Sequence, residues 1–451
     1  MNGKYEKFKE YINGKRVSVV GVGVSNTPVI DLLLSLGADV TARDKKPREE
    51  KWEIAKELEE KGVELVFGDD YLENIDDDII FKSPGIRSDI PAFVQAKKRG
   101  AVLTNEMEVF MSLCPATVFG VTGSDGKTTT TTLISKMLEG GEGKVYLGGN
   151  IGKPLLPEVM NMRECDYAVV ELSSFQLNAM SHSPHVAVVT NISPNHLDWH
   201  TGMDEYIESK KNIFRFQDKG CRLVLNYENE ITRSFAADSR SETVFFSSKR
   251  ALDRGVCEKD GVIYSSGEAI MKTSDIKLPG RHNVENYMAA IGATKGYAKV
   301  ENIVNLARTF GGVEHRIEFV RELDGVKYYN SSIDSSPSRT EAALRSFSQK
   351  LIVIMGGYDK HIPFEPLAAP VRDCAKAVVL TGATADRIRE AIKDTSVPVY
   401  DAADLGSAVL TAKKIATEGD IVILSPACAS FDSFPNFMVR GNTFKDIVNK
   451  L

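Results

Sequence analysis

Short runs of β-branched and aliphatic residues recur along the chain, each followed by a longer stretch in which apolar positions return with helical spacing. The clearest runs are "RVSVVGVG" (16–23), "ADVTARD" (38–44), "ATVFGVTG" (116–123), "DYAVVELSS" (166–174), "HVAVVTNIS" (185–193), "KLIVIMGG" (350–357), "KAVVLTG" (376–382) and "DIVILSP" (420–426). Continuous apolar runs of this length predict strands buried on both faces, and their alternation with helical patterns predicts βαβ units with mainly parallel sheets. The runs fall into three groups, at roughly residues 16–104, 116–300 and 313–451. Between the first two, "LTNEMEVFMSLCP" reads as a helix closed by Pro115. Between the last two, "KVENIVNLARTFGGVEHR" contains Gly311-Gly312, a pair suited to a hinge. The pattern therefore predicts an α/β protein of three domains.

Composition agrees and narrows the class. A chain of 451 residues is too long for one core. A formal net charge of -6 argues against a nucleic-acid binder, which would show a basic balance. The six cysteines lie far apart with no C-x-x-C pair, as expected for reduced thiols in the cytoplasm. No apolar run of about 18 residues predicts a membrane span, and the N-terminus lacks a stretch of signal-peptide character.

The chemistry concentrates in "GVTGSDGKTTT" (120–130). The strict pattern G-x-x-x-x-G-K-[ST] wants glycine at 121, where Val121 stands. The context is nonetheless that of a phosphate cradle: a strand, a glycine loop, then "KTTTTTLISKML" with apolar positions 133, 134, 137 and 138 on one helical face. Gly123 and Gly126 would permit close backbone approach, Lys127 would reach the β/γ-phosphates, and the Thr128 hydroxyl would serve Mg²⁺. Glu171 closes a buried strand and supplies a carboxylate at the sheet edge where such folds bind ligands. In "NISPNHLDWH" the pair His196 and His200 has helical metal-ligand spacing. Without a neighbouring cysteine or an H-E-x-x-H glutamate, zinc is disfavoured; His196 reads as a magnesium or phosphate neighbour and His200 as a surface residue. "GVGVSN" (21–26) is a dinucleotide fingerprint lacking its third glycine, with Asp44 ending the next strand; a tight structural turn explains it equally well.

Together these segments resemble the Mur ligase family, whose ATP loop has the form T-G-x-[ND]-G-K-T; "TGSDGKT" (122–128) matches it, so Val121 is ordinary there. "SPGI" (83–86), "GGNIG" (148–152), "ELSSFQL" (171–177), "HNVEN" (282–286), "EHR" (314–316) and "SPACASFDSFPNF" (425–437) extend the resemblance over all three domains and point to the branch that adds D-glutamate. It implies an N-terminal Rossmann-like domain for the UDP-substrate (1–106), a central mononucleotide-binding ATPase sheet (107–311) and a C-terminal Rossmann-like domain for the amino acid (312–451). The implied activity is ATP-dependent joining of D-glutamate to UDP-N-acetylmuramoyl-L-alanine through an acyl phosphate, in a cytoplasmic monomer with neither nucleic-acid nor membrane partners.

Site residues follow by motif. Gly123, Ser124, Asp125, Gly126, Lys127, Thr128, Thr129, Asn283, Asn286, Arg316 and Asp334 would hold ATP. Thr128, Glu171, His196 and Lys210 would serve two Mg²⁺ ions, with Lys127, His196 and Lys210 catalytic. Gly23, Ser25, Asp44, Lys45, Gly85, Asn150 and Ser173 would face the UDP-substrate, and Lys360, Ser430 and Phe437 the D-glutamate. In "DEYIESKKNIF" (204–214), Tyr206, Lys210 and Phe214 share a helical face, and the family carries a carbamylated lysine at the position of Lys210, not Lys211. One stretch departs: "NSSIDSSPSRT" (330–340) stands where the family commonly has N-D-S-K-A-T-N, leaving the ATP contact between Asp334 and Ser331 and a D-glutamate contact between Arg339 and Ser336. Two other readings stay open. A ligase of the same superfamily for another amino acid, or a folylpolyglutamate synthase, would share the central loop but not "SPACASFDSF". An NAD(P)-dependent dehydrogenase would explain "GVGVSN" but not the Lys127 loop, and a P-loop motor or GTPase fails the strict loop spacing.

Overall fold

The computed structural model describes residues 3–23, 26–197, 199–359 and 362–451. Its strands form three sheets. The first contains β1 (Arg16–Val20), β2 (Asp39–Asp44), β3 (Glu64–Phe67), β4 (Ile79–Lys82) and β5 (Val102–Thr104), all parallel, in the order β3-β2-β1-β4-β5. The second contains β6 (Thr117–Thr122), β7 (Val145–Gly149), β8 (Tyr167–Glu171), β9 (Val186–Val189), β10 (Arg222–Asn226), β11 (Glu242–Ser247), β12 (Val256–Lys259), β13 (Val262–Ser265) and β14 (Glu268–Lys272), in the order β14-β13-β12-β11-β10-β9-β6-β8-β7. The third contains β15 (Glu318–Leu323), β16 (Val326–Asn330), β17 (Leu351–Met355), β18 (Ala375–Leu380), β19 (Val399–Asp401) and β20 (Ile421–Leu424), in the order β15-β16-β20-β17-β18-β19.

Each apolar run singled out in the sequence is a strand, and the central ones are buried throughout: Val186–Val189, Leu351–Met355 and Ile421–Leu424 expose no residue. Two helices read from the sequence also form, Glu106–Leu113 with Asn105 accepting from the Glu108 N–H, and Lys127–Leu138. The departures from parallel pairing lie at sheet margins, in the β12-β13-β14 meander and the β15-β16 hairpin. Those strands are short and half-exposed, so they lack the continuous apolar run that marks a buried parallel strand.

The chain divides into two compact units, residues 1–273 with 284–306, and residues 274–283 with 307–451. Within the first unit one hydrophobic core runs through both sheets: Val17, Val29 and Leu33 belong to the same cluster as Phe110, Val170 and Ile213. Within the second, apolar residues cover both faces of the third sheet, Leu351 and Val353 on one side, Ile352 and Ile354 on the other. All six cysteines are unpaired thiols. Among the described residues no helix is long and apolar enough to cross a membrane.

Candidate active site

Strand β6 delivers the chain into a loop whose shape only glycine permits. Gly123 has φ +149° and Gly126 φ +78°; a Cβ on Gly123 would stand 1.9 Å from Thr190 Oγ1, and one on Gly126 2.4 Å from Asn286 Oδ1. The helix Lys127–Leu138 begins immediately, so its free N–H groups and dipole face the loop. The exit of β9 braces this loop from the side. Ser124 N–H donates to Asn191 O (2.8 Å), Asp125 N–H to Asn191 Oδ1 (2.9 Å), and Thr190 Oγ1 to Asp125 O (2.6 Å). Ser124 Oγ donates to Ser193 O and lies 2.9 Å from the Tyr206 hydroxyl. Asn286 joins from its own helix, accepting from Thr130 Oγ1 at 3.2 Å.

Because β9, β6, β8 and β7 are parallel neighbours, their C-terminal ends bring Asn191, the phosphate loop, Glu171 and Asn150 to one edge. Thr128 Oγ1 donates to Glu171 Oε2 at 2.7 Å, and Asn150 Nδ2 donates to Glu171 Oε1 at 2.8 Å. A hydroxyl and a buried carboxylate so placed are hard oxygen donors, the set that suits Mg²⁺, which leaves several positions for phosphate oxygens and water. No cluster of three or more His, Cys, Asp or Glu capable of holding a metal unaided occurs among the described residues.

Lys210 is almost wholly buried (2% exposed) on the helix Met203–Arg215. Its Nζ donates to Gly123 O (2.9 Å) and Thr122 Oγ1 (3.2 Å) and lies 4.8 Å from the centre of the Tyr206 ring. Lys127 Nζ donates to the same Gly123 carbonyl (3.0 Å) and to Ser124 O (2.8 Å). Two ammonium groups thus converge on one neutral oxygen. Burial, and then the Lys127 charge, push the Lys210 pKa well below that of an ordinary lysine. Lys211 is different: it pairs with Glu208 (3.0 Å) and Asp238 (2.9 Å), and those partners outweigh burial and raise its pKa.

His196 follows β9 with φ +54°, a left-handed conformation unusual for a residue with a Cβ, and its ring meets Phe175 edge-on at 4.9 Å. His200, expected at the surface, is instead 3% exposed. Its Nε2 lies 2.9 Å from Ser174 Oγ, and Phe175, Trp199 and Tyr206 surround the ring. Trp199 N–H and His200 N–H both donate to His196 O, and the second histidine of the spacing packs inward.

At the C-terminal edge of the first sheet, Gly21 N–H donates to Arg43 O, and Asn26 donates its amide to Gly21 O (2.9 Å), bracing the loop where the dinucleotide pattern has its third glycine. Asp44 Oδ2 accepts from Val22 N–H (2.7 Å) and pairs with Lys51 (2.8 Å), while Oδ1 accepts from Lys46 N–H (2.9 Å). Asp44 therefore ties the first loop to the second strand. Gly23, the exposed Lys45 and Gly85 lie on loops of this edge; Ser25 lies outside the described residues. Ser173 caps the short helix Ser174–Leu177 in a reciprocal box with Gln176.

In the second unit, Asp334 is buried and accepts from Ser425 Oγ at 2.8 Å; burial raises its pKa to about 6. Ser331, also buried, accepts from Ile317 N–H. Arg339 donates to Ile333 O, and Ser336 lies 3.3 Å from the Ser338 hydroxyl. Arg316 is exposed beside His315, in a turn where His315 and Ile317 both have positive φ. Asn283 donates to Pro279 O (2.6 Å), Ser430 is buried, and Phe437 packs its ring edge-on to His315; Lys360 lies outside the described residues. The sequence reading missed Arg440. Its guanidinium is 3% exposed and donates to Ser332 Oγ, Ser332 O, Ala429 O and Cys428 O. It joins the loops after β16 and β20, and a Cβ on Gly357 would stand 3.0 Å from it. A lone arginine ahead of a glycine carries no spacing signal, so nothing local marked it.

A glycine phosphate loop opposed by a metal-ready carboxylate at the edge of parallel strands, in a chain that also forms two further α/β sheets, defines a nucleoside-triphosphate-using enzyme of the three-sheet ligase type. Comparisons with known proteins make this specific. Residues 121–294 match the Mur ligase middle domain and residues 315–428 the Mur ligase glutamate ligase domain. Curated proteins named UDP-N-acetylmuramoylalanine--D-glutamate ligase match over 100% of both chains: 52% identity in Clostridium beijerinckii, 50% in Clostridium botulinum and 49% in Acetivibrio thermocellus. Among solved structures, a UDP-N-acetylmuramate-alanine ligase from Thermotoga maritima shares the fold, with TM-score 0.60 and 19% identity over 97% of this chain and 99% of that one. The chain belongs to the Mur ligase family, in the branch whose curated members carry the D-glutamate ligase name.

Proposed function

We propose that this protein joins D-glutamate to UDP-N-acetylmuramoyl-L-alanine with conversion of ATP to ADP and phosphate, in cytoplasmic peptidoglycan precursor synthesis. Full-length identity near 50% to ligases of that name carries the reading. The chemistry is an amide synthesis through an acyl phosphate. The alanine carboxylate attacks the γ-phosphorus, ADP leaves, the D-glutamate amine attacks the acyl carbon, and phosphate departs as the amine loses a proton.

The chain's groups fit this sequence. The loop Gly123–Gly126 and the helix start at Lys127 bring N–H donors and positive charge to the triphosphate. Lys127, which donates to the Gly123 and Ser124 carbonyls, can transfer donors to the γ-phosphoryl oxygens as charge builds there. Thr128 and Glu171 would hold one Mg²⁺, and His196 with Lys210 a second; bound there, the ions would screen the phosphate and carboxylate charges that must approach one another. We assign residues 1–106 to the UDP-substrate, 107–311 to ATP and 312–451 to the amino acid, with Ser430, Phe437 and Lys360 serving D-glutamate. Asp334 is favoured over Ser331 as the ATP-side contact of the third domain, because it is the ionisable group of the pair.

Lys210 is assigned as the carbamylated lysine. Two ammonium groups sharing Gly123 O favour a neutral amine at the more buried one, and a neutral amine is the form that adds CO₂. The product is an anion with hard oxygen donors beside the proposed ions. Lys210→Ala is expected to be nearly inactive and partly rescued by short carboxylates, whereas Lys211→Ala remains active; equal behaviour of the two variants overturns the assignment. The activity itself is tested by phosphate release from ATP with UDP-N-acetylmuramoyl-L-alanine. Release should require D-glutamate, and comparable rates with L-glutamate, L-alanine or diaminopimelate would refute the proposed specificity.

A further inference from the structure

Arg87, on the loop following β4, reaches across to the segment that carries His196. Its Nε and Nη2 donate to Asp89, Nη2 and Nη1 to the two oxygens of Glu205 (3.1 and 3.3 Å), and Nη1 to Trp199 O (2.8 Å). The guanidinium carbon lies 5.0 Å from the centre of the Trp199 ring. Trp199 returns the contact: its Nε1–H donates to Gly85 O at 2.8 Å. The loop of the first sheet and the turn at the edge of the central sheet are therefore fastened by an ion pair, two hydrogen bonds to backbone oxygens and a cation–π stack.

What is fastened matters more than the fastening. Trp199 N–H and His200 N–H both donate to His196 O, closing the turn that holds His196 at φ +54°. A left-handed histidine persists only where its surroundings over-determine it. Those surroundings are Phe175 against His196 and Trp199, and Trp199 against Arg87 and Gly85. Glu205 stands next to Tyr206, whose hydroxyl meets Ser124 of the phosphate loop, on the helix that carries Lys210. Arg87 thus touches both segments that would present the second metal's ligands while sitting on the loop that would face the uridine diphosphate.

We propose that Arg87 and Trp199 form a clasp through which the uridine diphosphate crevice of the first sheet sets the geometry of His196, making Arg87 a positioning residue for the metal site. This rests on the reading of His196 as a metal ligand. Holding the loop at Gly85 in its substrate-bound shape holds Trp199, and with it the turn that aims the imidazole. By linkage, nucleotide binding and metal binding then strengthen each other equally.

Mn²⁺ binding followed by electron paramagnetic resonance, with ATP present and with or without UDP-N-acetylmuramoyl-L-alanine, tests this directly. In the wild-type chain the UDP-substrate should tighten Mn²⁺ binding. Arg87→Met should weaken it on the order of 10-fold, the scale seen for residues that orient metal ligands, and should abolish the tightening. Trp199→Phe keeps the ring but loses the Gly85 bond and should fall between; the double variant should lose less than the two effects combined. The KM for D-glutamate should not move. His196→Ala is the control: unchanged Mn²⁺ binding in that variant removes the metal-ligand reading itself. With that reading intact, the clasp is refuted if Trp199→Phe and Arg87→Met keep the wild-type response of Mn²⁺ to UDP-substrate. It is equally refuted if they only lower the melting temperature while every kinetic constant falls in parallel.

Discussion

Cations at the edges of the central and third sheets meet neutral oxygens, yet they are held in different ways. In the central sheet Lys127 and Lys210 share the Gly123 carbonyl, each with one further acceptor. In the third, Arg440 spreads four hydrogen bonds over Ser332, Ala429 and Cys428. A lysine with two interchangeable acceptors can exchange them for phosphate oxygens at little cost. A guanidinium whose planar fork is engaged on two loops cannot leave without stranding several buried carbonyls. The first arrangement suits groups that follow developing charge, the second a fixed frame for a binding surface.

The largest effect expected from this contrast is catalytic. Lys127→Ala should lower kcat by at least about 100-fold, roughly 3 kcal/mol of barrier, because no other preorganised charge in the loop would track the γ-phosphoryl group. Its melting temperature should change by only a few degrees, since the hydrogen bonds given up to Gly123 O and Ser124 O go to neutral acceptors. Near-normal turnover would break the comparison at its central-sheet end.

Arg440→Met should invert that pattern. Three backbone carbonyls and a serine hydroxyl lose their donor in a buried setting, so the second unit should lose about 4 kcal/mol. Differential scanning calorimetry resolves it: the transition of residues 307–451 should move down while that of the first unit stays. A variant that melts like wild type yet fails to turn over would make Arg440 a chemical group and erase the distinction.

How far the sequence anticipated these edges follows from the same contrast. The phosphate loop was legible because its requirements are contiguous: a strand, two glycines at positive φ and a helix start within one short stretch. The buried parallel strands were legible because burial on both faces demands unbroken apolar runs. Lys210 was separable from Lys211 by its place on one helical face with Tyr206 and Phe214, all three buried, although its role came from family resemblance. Thr190, Asn191, Arg87 and Arg440 left no such trace, because each acts through partners remote in sequence that only the folded chain assembles. His200 was misplaced for a related reason: Phe175 and Tyr206, which with Trp199 enclose its ring, come from other stretches of the chain.

The smallest predicted effect sharpens the third-sheet side of the comparison. Asp334 accepts from Ser425 in a buried site, and desolvation lifts its pKa from 3.8 to about 6 against the lowering pull of Ser331, Ser425, Arg316 and Arg339. A raised carboxyl pKa means the folded chain binds the proton more tightly than the unfolded one. Its stabilising contribution is therefore complete below about pH 4 and is lost as pH rises through about 6. The shift corresponds to at most about 3 kcal/mol across that window. Asp334→Asn removes this titration, so the stability difference between variant and wild type should move in the variant's favour from pH 4.5 to pH 7.5. Chemical denaturation of the second unit at those two pH values measures it; a difference that stays constant, or moves the other way, would show that Asp334 is held ionised in the fold and that Arg440 is not the only charged group fixed at this edge.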